Sequence, residues 1–440
     1  MLLEFRAKNY KSFKDELVFS LMPAPKQRAL NYSVFREKIG KKVYRGLCSA
    51  VIYGANAAGK TNIIGAMDTF KSIVLRGHIR NDTEKSSPNI ASGKLEFIPN
   101  KFCETQEPVE FSISFTTEGT LIEYTFSALL GRFLDADFPR KIVSERLDVN
   151  KVTVFERNEK LEIGQLKAIE SLLVNEFDQN ASRIMSAANL NDEELFLMNG
   201  FKVMFSSKLV SMIINWLNSR FLVVYGFNVI EVRHMFLNDI GQETAYIEKT
   251  LNDVAMCFGI NSNALGYIAE KDGKESRLCS LFREDGEAGI AIPAKLFESY
   301  GTIRFVNMFP FIIQVLQNGG TLVVDEFDAS IHPMALMNIV NIFHNDELNL
   351  NHAQLVFNTH NPIFLNPNLF RRDEIKFVER DEESHCSTHY SLSDFGTAGR
   401  SGVRRNSDYM KGYFVNRYGA IKNIDFSPVI KEILSNDAED

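Results

Sequence analysis

Cysteine is scarce. The 440-residue chain has five, Cys48, Cys103, Cys257, Cys279 and Cys386, with no paired spacing. That excludes a disulfide framework and fits a reducing cytoplasm. His385, Cys386 and His389 form the one metal-like grouping; lacking a further paired cysteine or histidine, they read as a solvated loop rather than a zinc site. No apolar run reaches the ~18–20 residues that a membrane-spanning helix needs. The longest, at 209–217 and 305–316, contain polar residues and read as buried helices. The start shows no basic segment followed by an apolar core, so no secretion signal is expected. Positive charge is lacking too: the net charge is −7, with no basic tail, which argues against a simple sequence-independent nucleic-acid binder. Local basic groups exist at Lys8, Lys11 and Lys14, at Lys38, Lys41, Lys42 and Arg45, and at Arg400, Arg404 and Arg405. They are ordinary solvated surface or a nucleic-acid contact, and the sequence leaves both open.

What the chain does have is a phosphate loop. Gly54-Ala55-Asn56-Ala57-Ala58-Gly59-Lys60-Thr61 fits the G-x-x-x-x-G-K-[ST] pattern, with an apolar run at 50–53 before it and a helix-compatible stretch at 62–70 after it. Backbone N–H groups of such a loop meet phosphates at a helix N-terminus, where orphan donors and the dipole favour an anion. Lys60 is expected to bridge the β- and γ-phosphates of ATP, with the Thr61 hydroxyl on Mg²⁺ and Asn62 in the following turn.

Far downstream, Thr321-Leu322-Val323-Val324 reads as a buried parallel strand that ends in Asp325-Glu326. Carboxylates at the C-terminal end of such a strand face a ligand crevice. Asp325 is expected to hold Mg²⁺ and Glu326 to orient the attacking water.

Around that strand lie Glu298-Ser299-Tyr300-Gly301-Thr302, then Asp328-Ala329-Ser330, then an apolar strand at 354–357 that ends in Asn358-Thr359-His360. The order resembles the ABC-type ATPase heads of the SMC and RecF group. By that resemblance Ser299 and Gly301 complete the site of a second subunit, Asp328 joins the two sites, and His360 senses the γ-phosphate. The opening residues 1–15 resemble the first strand and turn of the same heads. Residues 408–421 resemble the tail of the AAA-type, ABC-like ATP-binding proteins of bacterial abortive-infection and anti-phage modules, the PARIS type included. The resemblance implies a cytoplasmic ATPase that forms a homodimer or higher homo-oligomer through its ATP sites. It also implies a separately encoded effector, a nuclease or toxin, with a phage protein as trigger. The signature departs from the Ser-Gly-Gly-Gln of transporters, and the chain lacks a clear glutamine loop; Glu145 stands nearest to that place.

The fold expected is α/β: a P-loop ABC-type head, with a mixed sheet, flanking helices and an antiparallel subdomain, carrying an inserted helical lobe. The expected division is 1–160 and 263–440 for the two parts of the head and 161–262 for the lobe. A hairpin at 109–126 across Glu118-Gly119 and strands at 141–148 and 151–156 are expected in the subdomain. Residues 80–94 read as a loop, 166–256 as largely helical, and 267–291 as a charged hairpin. Met204, Phe205, Leu209 and Met212 read as core or as a partner-binding face. Two rival functions are a RecF/SMC-like DNA-binding ATPase of repair or recombination, and an intrinsic nuclease. The second is disfavoured because Asp373-Glu374 and Asp381-Glu382-Glu383 lack the metal-binding spacing.

Overall fold

The structure is a computed structural model and describes residues 1–25, 27, 30–80, 96–103, 105–132, 138–174, 184, 190–225, 249–257, 259–260, 262–269, 276–282, 290–397, 402–422 and 424–436. Its centre is a six-stranded sheet in the order β11-β15-β16-β5-β17-β18. These strands are β5 (Ser49–Tyr53), β11 (Phe221–Val224), β15 (Thr321–Val324), β16 (Gln354–Asn358), β17 (Ile375–Arg380) and β18 (Ser387–Ser391). The first five are parallel and β18 closes the edge antiparallel to β17. Every residue of β5, β15 and β16 is buried, because both faces of the sheet are covered.

Alternation of side chains divides the core in two. Ala50, Ile52, Val323 and Val356 pack with Ile63, Met67 and Phe70 of the helix Lys60–Arg76. Val51, Tyr53, Val324 and Phe357 pack on the other face with Phe305 and Met308 of the helix Tyr300–Asn318 and with Leu336 and Val340 of Pro333–Phe343.

A second, seven-stranded antiparallel sheet runs β10-β9-β8-β7-β6-β1-β2. Its strands are β1 (Leu2–Lys8), β2 (Leu17–Ser20), β6 (Val109–Thr117), β7 (Thr120–Leu129), β8 (Lys141–Val149), β9 (Val152–Arg157) and β10 (Leu161–Ile163). The expected hairpin and the two strands after it are therefore present. The turn at Glu118-Gly119 has both residues at positive φ, 47° and 69°, as a two-residue hairpin requires. The sheet covers the outer face of the helix Lys60–Arg76: Phe70 meets Phe5 at 5.8 Å, Phe111 at 6.2 Å and Phe126 at 5.7 Å between ring centroids. The phosphate-loop helix is thus held between the two sheets.

A ribbon of β3 (Val34–Ile39) and β4 (Lys42–Leu47) and a three-stranded sheet of β12 (Ala264–Ala269), β13 (Ser276–Phe282) and β14 (Ile290–Pro293) complete the described strands. The expected charged hairpin corresponds to β12–β13, with its turn outside the described residues. Nearly all of the loop expected at 80–94 also lies outside the described residues.

The region 161–262 differs from expectation. It contains β11, whose Phe-Leu-Val-Val run joins the central sheet as a parallel edge beside β15, so the head contributes strand to the middle of the supposed lobe. Residues Leu166–Leu172 form a 3₁₀ segment kinked at Ile169; regular α-helix among the described residues there is short, chiefly Ser207–Asn215 and Lys249–Cys257. Phe205 and Leu209 are fully buried and Met212 nearly so, with Met204 packed against the same core, so these residues are core. Among the described residues no helix is long and apolar enough to cross a membrane.

Candidate functional site

Strand order builds the site. Because β16 lies between β5 and β15, the C-terminal ends of three neighbouring parallel strands bring the phosphate loop, Asp325-Glu326 and Asn358-Thr359-His360 to one edge. The loop leaves β5 and turns into the helix Lys60–Arg76 through Gly59, whose φ of 111° suits glycine and whose missing Cβ would stand 2.6 Å from Ser387 Oγ and 2.8 Å from Ser12 Oγ. Lys60 is folded across the loop, its Nζ donating to the carbonyls of Gly54 at 2.7 Å and Ala55 at 3.0 Å. Burial lowers its pKa to about 8, against the fields of Asp325, Glu326 and Asp328.

Two serines that the spacing did not mark brace the loop. Ser387 Oγ donates to the Ala58 carbonyl at 2.6 Å and is hydrogen-bonded to the Ser12 hydroxyl at 2.7 Å, and Asn62 donates its amide to Ser12 Oγ at 2.7 Å. Ala55, Asn56 and Ala57 form the accessible outer part of the loop, and Ala58 and Gly59 its buried part.

The acidic strand end is tied to the loop directly: Thr61 Oγ1 donates to Asp325 Oδ1 at 3.2 Å. Asn358 holds the same turn from the neighbouring strand, donating its amide to Asp325 Oδ1 and accepting the Glu326 N–H. Arg304, from the helix Tyr300–Asn318, donates to the carbonyl oxygens of Asp325 at 3.0 Å and Glu326 at 2.7 Å. These bonds fix Glu326 at φ 49°, a left-handed backbone that costs a non-glycine residue about 1–2 kcal/mol. The Glu326 side chain is exposed at the site's mouth. Burial raises the pKa of Asp325, and the Asn358 and Thr61 bonds oppose that shift. His360 lies close enough to feel Lys60, Asp328 and Glu326; burial and the Lys60 charge both lower its pKa, which keeps the ring neutral. Asp328 is half-buried in the turn after Glu326.

The described contacts of the signature residues lie in the first turn of the helix Tyr300–Asn318 and in the turn after Asp328. Ser299 is exposed and caps the helix Tyr300–Asn318, accepting the Thr302 N–H at 3.1 Å. Gly301 packs against the turn after Asp328: a Cβ there would stand 1.9 Å from the Ser330 carbonyl oxygen. Glu145 lies elsewhere. It is fully buried and accepts from Tyr124 Oη and from the backbone N–H groups of Phe196 and Leu197, so it is a structural carboxylate. The His385, Cys386 and His389 grouping does not form. His385 is exposed, while the His389 ring is buried against Phe19, where desolvation and Lys376 push its pKa down to about 3. Of the basic groups, Lys8 pairs with Glu110 and Lys11 with Glu96. Lys38, Lys41, Lys42 and Arg45 are exposed on the β3–β4 ribbon, as are Arg404 and Arg405 near the end; Arg400 lies outside the described residues.

A phosphate loop and an acidic strand end at the C-terminal ends of parallel strands in one mixed sheet define a P-loop ATPase of the ABC/AAA kind. The chain belongs to the family described as "AAA domain, putative AbiEii toxin, Type IV TA system", whose sequence profile matches residues 49–366 and so spans the site from β5 through His360. No curated protein matches the sequence. Among solved structures it is similar to the SMC head domain from Thermotoga maritima, at 13% identity and TM-score 0.36 over 89% of this chain and 98% of that one. It is also similar to the Smc head domain with an extended coiled coil bound to the C-terminal domain of ScpA, derived from Pyrococcus furiosus. The values there are 14% identity and TM-score 0.36, over 89% and 96% of the two chains.

Proposed function

We propose that the chain is an ATP-hydrolysing switch of a bacterial anti-phage module of the abortive-infection type. Two or more copies close on shared ATP sites in the cytoplasm, and their opening or closure controls a separately encoded nuclease or toxin in response to a phage-derived trigger. The observation that carries the ATPase reading is the Thr61–Asp325 contact at 3.2 Å. Two hard oxygen donors converge beside the loop, a donor set that fits Mg²⁺. The toxin and toxin–antitoxin terms in the family's description support the defence side.

In this reading the loop N–H groups of residues 54–62 cradle the phosphates, and Lys60 leaves the Gly54 and Ala55 carbonyls to reach the β- and γ-oxygens. Thr61 and Asp325 would hold Mg²⁺, whose chemistry there would be neutralisation of phosphate charge. Glu326 holds the attacking water, and neutral His360 donates to the γ-phosphate. Ser299 and Gly301 of a second copy close the site, with Asp328 between them. The ligand favours the closed state because only that state supplies Ser299 to it.

The test is Glu326→Gln, expressed beside its neighbouring genes, purified and assayed. Turnover should fall by about 10²-fold or more with ATP binding kept, the protein should stall as a closed oligomer, and a stoichiometric neighbour-encoded protein should co-purify. Normal turnover would remove Glu326 from the reaction. Capture of nucleic acid with no protein partner would replace the defence switch by a DNA-binding ATPase.

A further inference from the structure

At the end of the central sheet opposite the phosphate loop, three segments bring together side chains that the ATPase reading does not use. Cys48 immediately precedes β5, His344 caps the C-terminus of the helix Pro333–Phe343, and Glu374 immediately precedes β17. Cys48 and Glu374 are fully buried and His344 is 7% exposed. Their ligand atoms all lie within 4.8 Å of one another. We propose that Cys48 Sγ, His344 Nε2 and Glu374 Oε1 form a structural site for a divalent transition metal of the zinc class.

The distances accommodate a cation in place of the hydrogen bonds that join these groups. His344 Nε2 stands 3.6 Å and Cys48 Sγ 3.7 Å from Glu374 Oε1. The first is too long for a hydrogen bond, and the second is a long one that the Cys48 thiol donates. Tetrahedral zinc, with bonds of ~2.0–2.3 Å, sets its ligand atoms about 3.3–3.6 Å apart. Ser49 Oγ lies 2.9 Å from both His344 Nε2 and Glu374 Oε1. It supplies the local hydrogen bonds without the cation and a neighbouring oxygen with it.

Orientation and charge agree. The Arg371 N–H donates to Glu374 Oε2 at 2.7 Å, which leaves Oε1 as the oxygen facing the thiol, the hydroxyl and the imidazole. Such an outer bond is what aims a ligating carboxylate. The ring of His344 is walled by Tyr32 and Phe370, each at 5.7 Å between centroids. Among the described residues no lysine or arginine lies within ion-pair distance of Glu374; its basic neighbours are the His344 ring at 3.6 Å and, through its field, the buried Lys376, and a buried carboxylate is costly unless it is paired. A thiolate, a neutral imidazole and a carboxylate around a divalent ion sum to zero charge, and that donor mixture suits zinc. The ion would join the start of the phosphate-loop strand to the start of β17 and the end of the helix Pro333–Phe343.

The experiment uses the full chain with any affinity tag removed. Elemental analysis after gel filtration should find about one zinc per chain. Unfolded in chelator and refolded with Co²⁺, the protein should show a thiolate-to-cobalt charge-transfer absorption. Cys48→Ser should abolish that band, His344→Gln should weaken cobalt retention, and Cys386→Ser should leave both unchanged. Zinc-free protein that gives no thiolate band with added Co²⁺ overturns the site, and so does a band that survives Cys48→Ser. The wild-type measurements decide the matter even where a variant fails to fold. They do not depend on ATP hydrolysis, so failure of the ATPase reading leaves them intact.

Discussion

The guanidinium of Arg304 donates to the carbonyl oxygen of Glu326 at 2.7 Å, reaching it from the helix whose first turn holds Gly301 and whose cap is Ser299. Displacement of that helix therefore acts on the backbone that aims the proposed catalytic carboxylate. Arg304→Ala leaves two carbonyls without their charged donor, a loss of ~1.5–3 kcal/mol, and Glu326 free to relax from φ 49°. Turnover should fall about ten-fold or more, while ATP binding, made by the loop on β5, changes little. Turnover and fluorescent-nucleotide titration on one preparation separate the two effects. Equal turnover in wild type and variant would show that Arg304 only packs.

Much of this site was legible in the sequence because its chemistry is local. The eight-residue loop and the Val-Val-Asp-Glu strand end each carry their own pattern, and the parallel-sheet rule places both at one edge. Arg304, Asn358, Ser12 and Ser387 were not legible as site residues, since each acts through contacts of high sequence separation. Ser12 and Ser387 are 375 positions apart yet bonded. The hairpins of the antiparallel sheet followed from alternation and the Glu118-Gly119 turn. The edge strand β11 did not, because four apolar residues after a helix read equally well as more helix.

The pH dependence of nucleotide binding follows from Lys60. Burial lowers its pKa to about 8 from an ordinary 10.5. The folded value is the lower one, so between these two pH values the unfolded chain binds more protons and the nucleotide-free protein gains stability as pH rises. Phosphate oxygens favour the charged ammonium and raise the pKa again. ATP binding should then take up a proton above about pH 8, and affinity should weaken as pH climbs from there. Calorimetry in buffers of different ionisation enthalpy measures the uptake, which Lys60→Met should eliminate. Binding without proton uptake would mean that Lys60 does not meet the phosphates.

Glu145 tests whether the chain senses Mg²⁺ through this region. Its carboxylate accepts three donors, Tyr124 Oη at 2.8 Å and the N–H groups of Phe196 at 2.6 Å and Leu197 at 2.8 Å. Glu145→Gln turns one acceptor into a donor facing a buried N–H, which costs about 1–3 kcal/mol. Thermal unfolding should shift down accordingly, while the Mg²⁺ concentration that gives half-maximal turnover stays where it was. A shifted Mg²⁺ dependence at unchanged stability would make Glu145 a nucleotide-site residue after all.

Ser299 and Gly301 have separable duties. Within one chain Ser299 only caps a helix, a role worth ~1 kcal/mol, and its exposed hydroxyl makes no described bond to the loop of its own chain. Gly301 instead allows the helix to lie 1.9 Å, at a virtual Cβ, from the Ser330 carbonyl; Gly301→Ala should lower thermal stability with no nucleotide present. Ser299→Arg should cost little beyond the cap, because the residue is exposed, yet should abolish hydrolysis by removing its hydroxyl from the one site of the second copy that it serves. Mixed with Lys60→Ala, it should regain activity: in the mixed dimer one site pairs an intact Lys60 with an intact Ser299, and the other has neither. Recovery toward half of the dimer's two sites is the expected ceiling. Full turnover in Ser299→Arg alone would place both halves of the site within one chain.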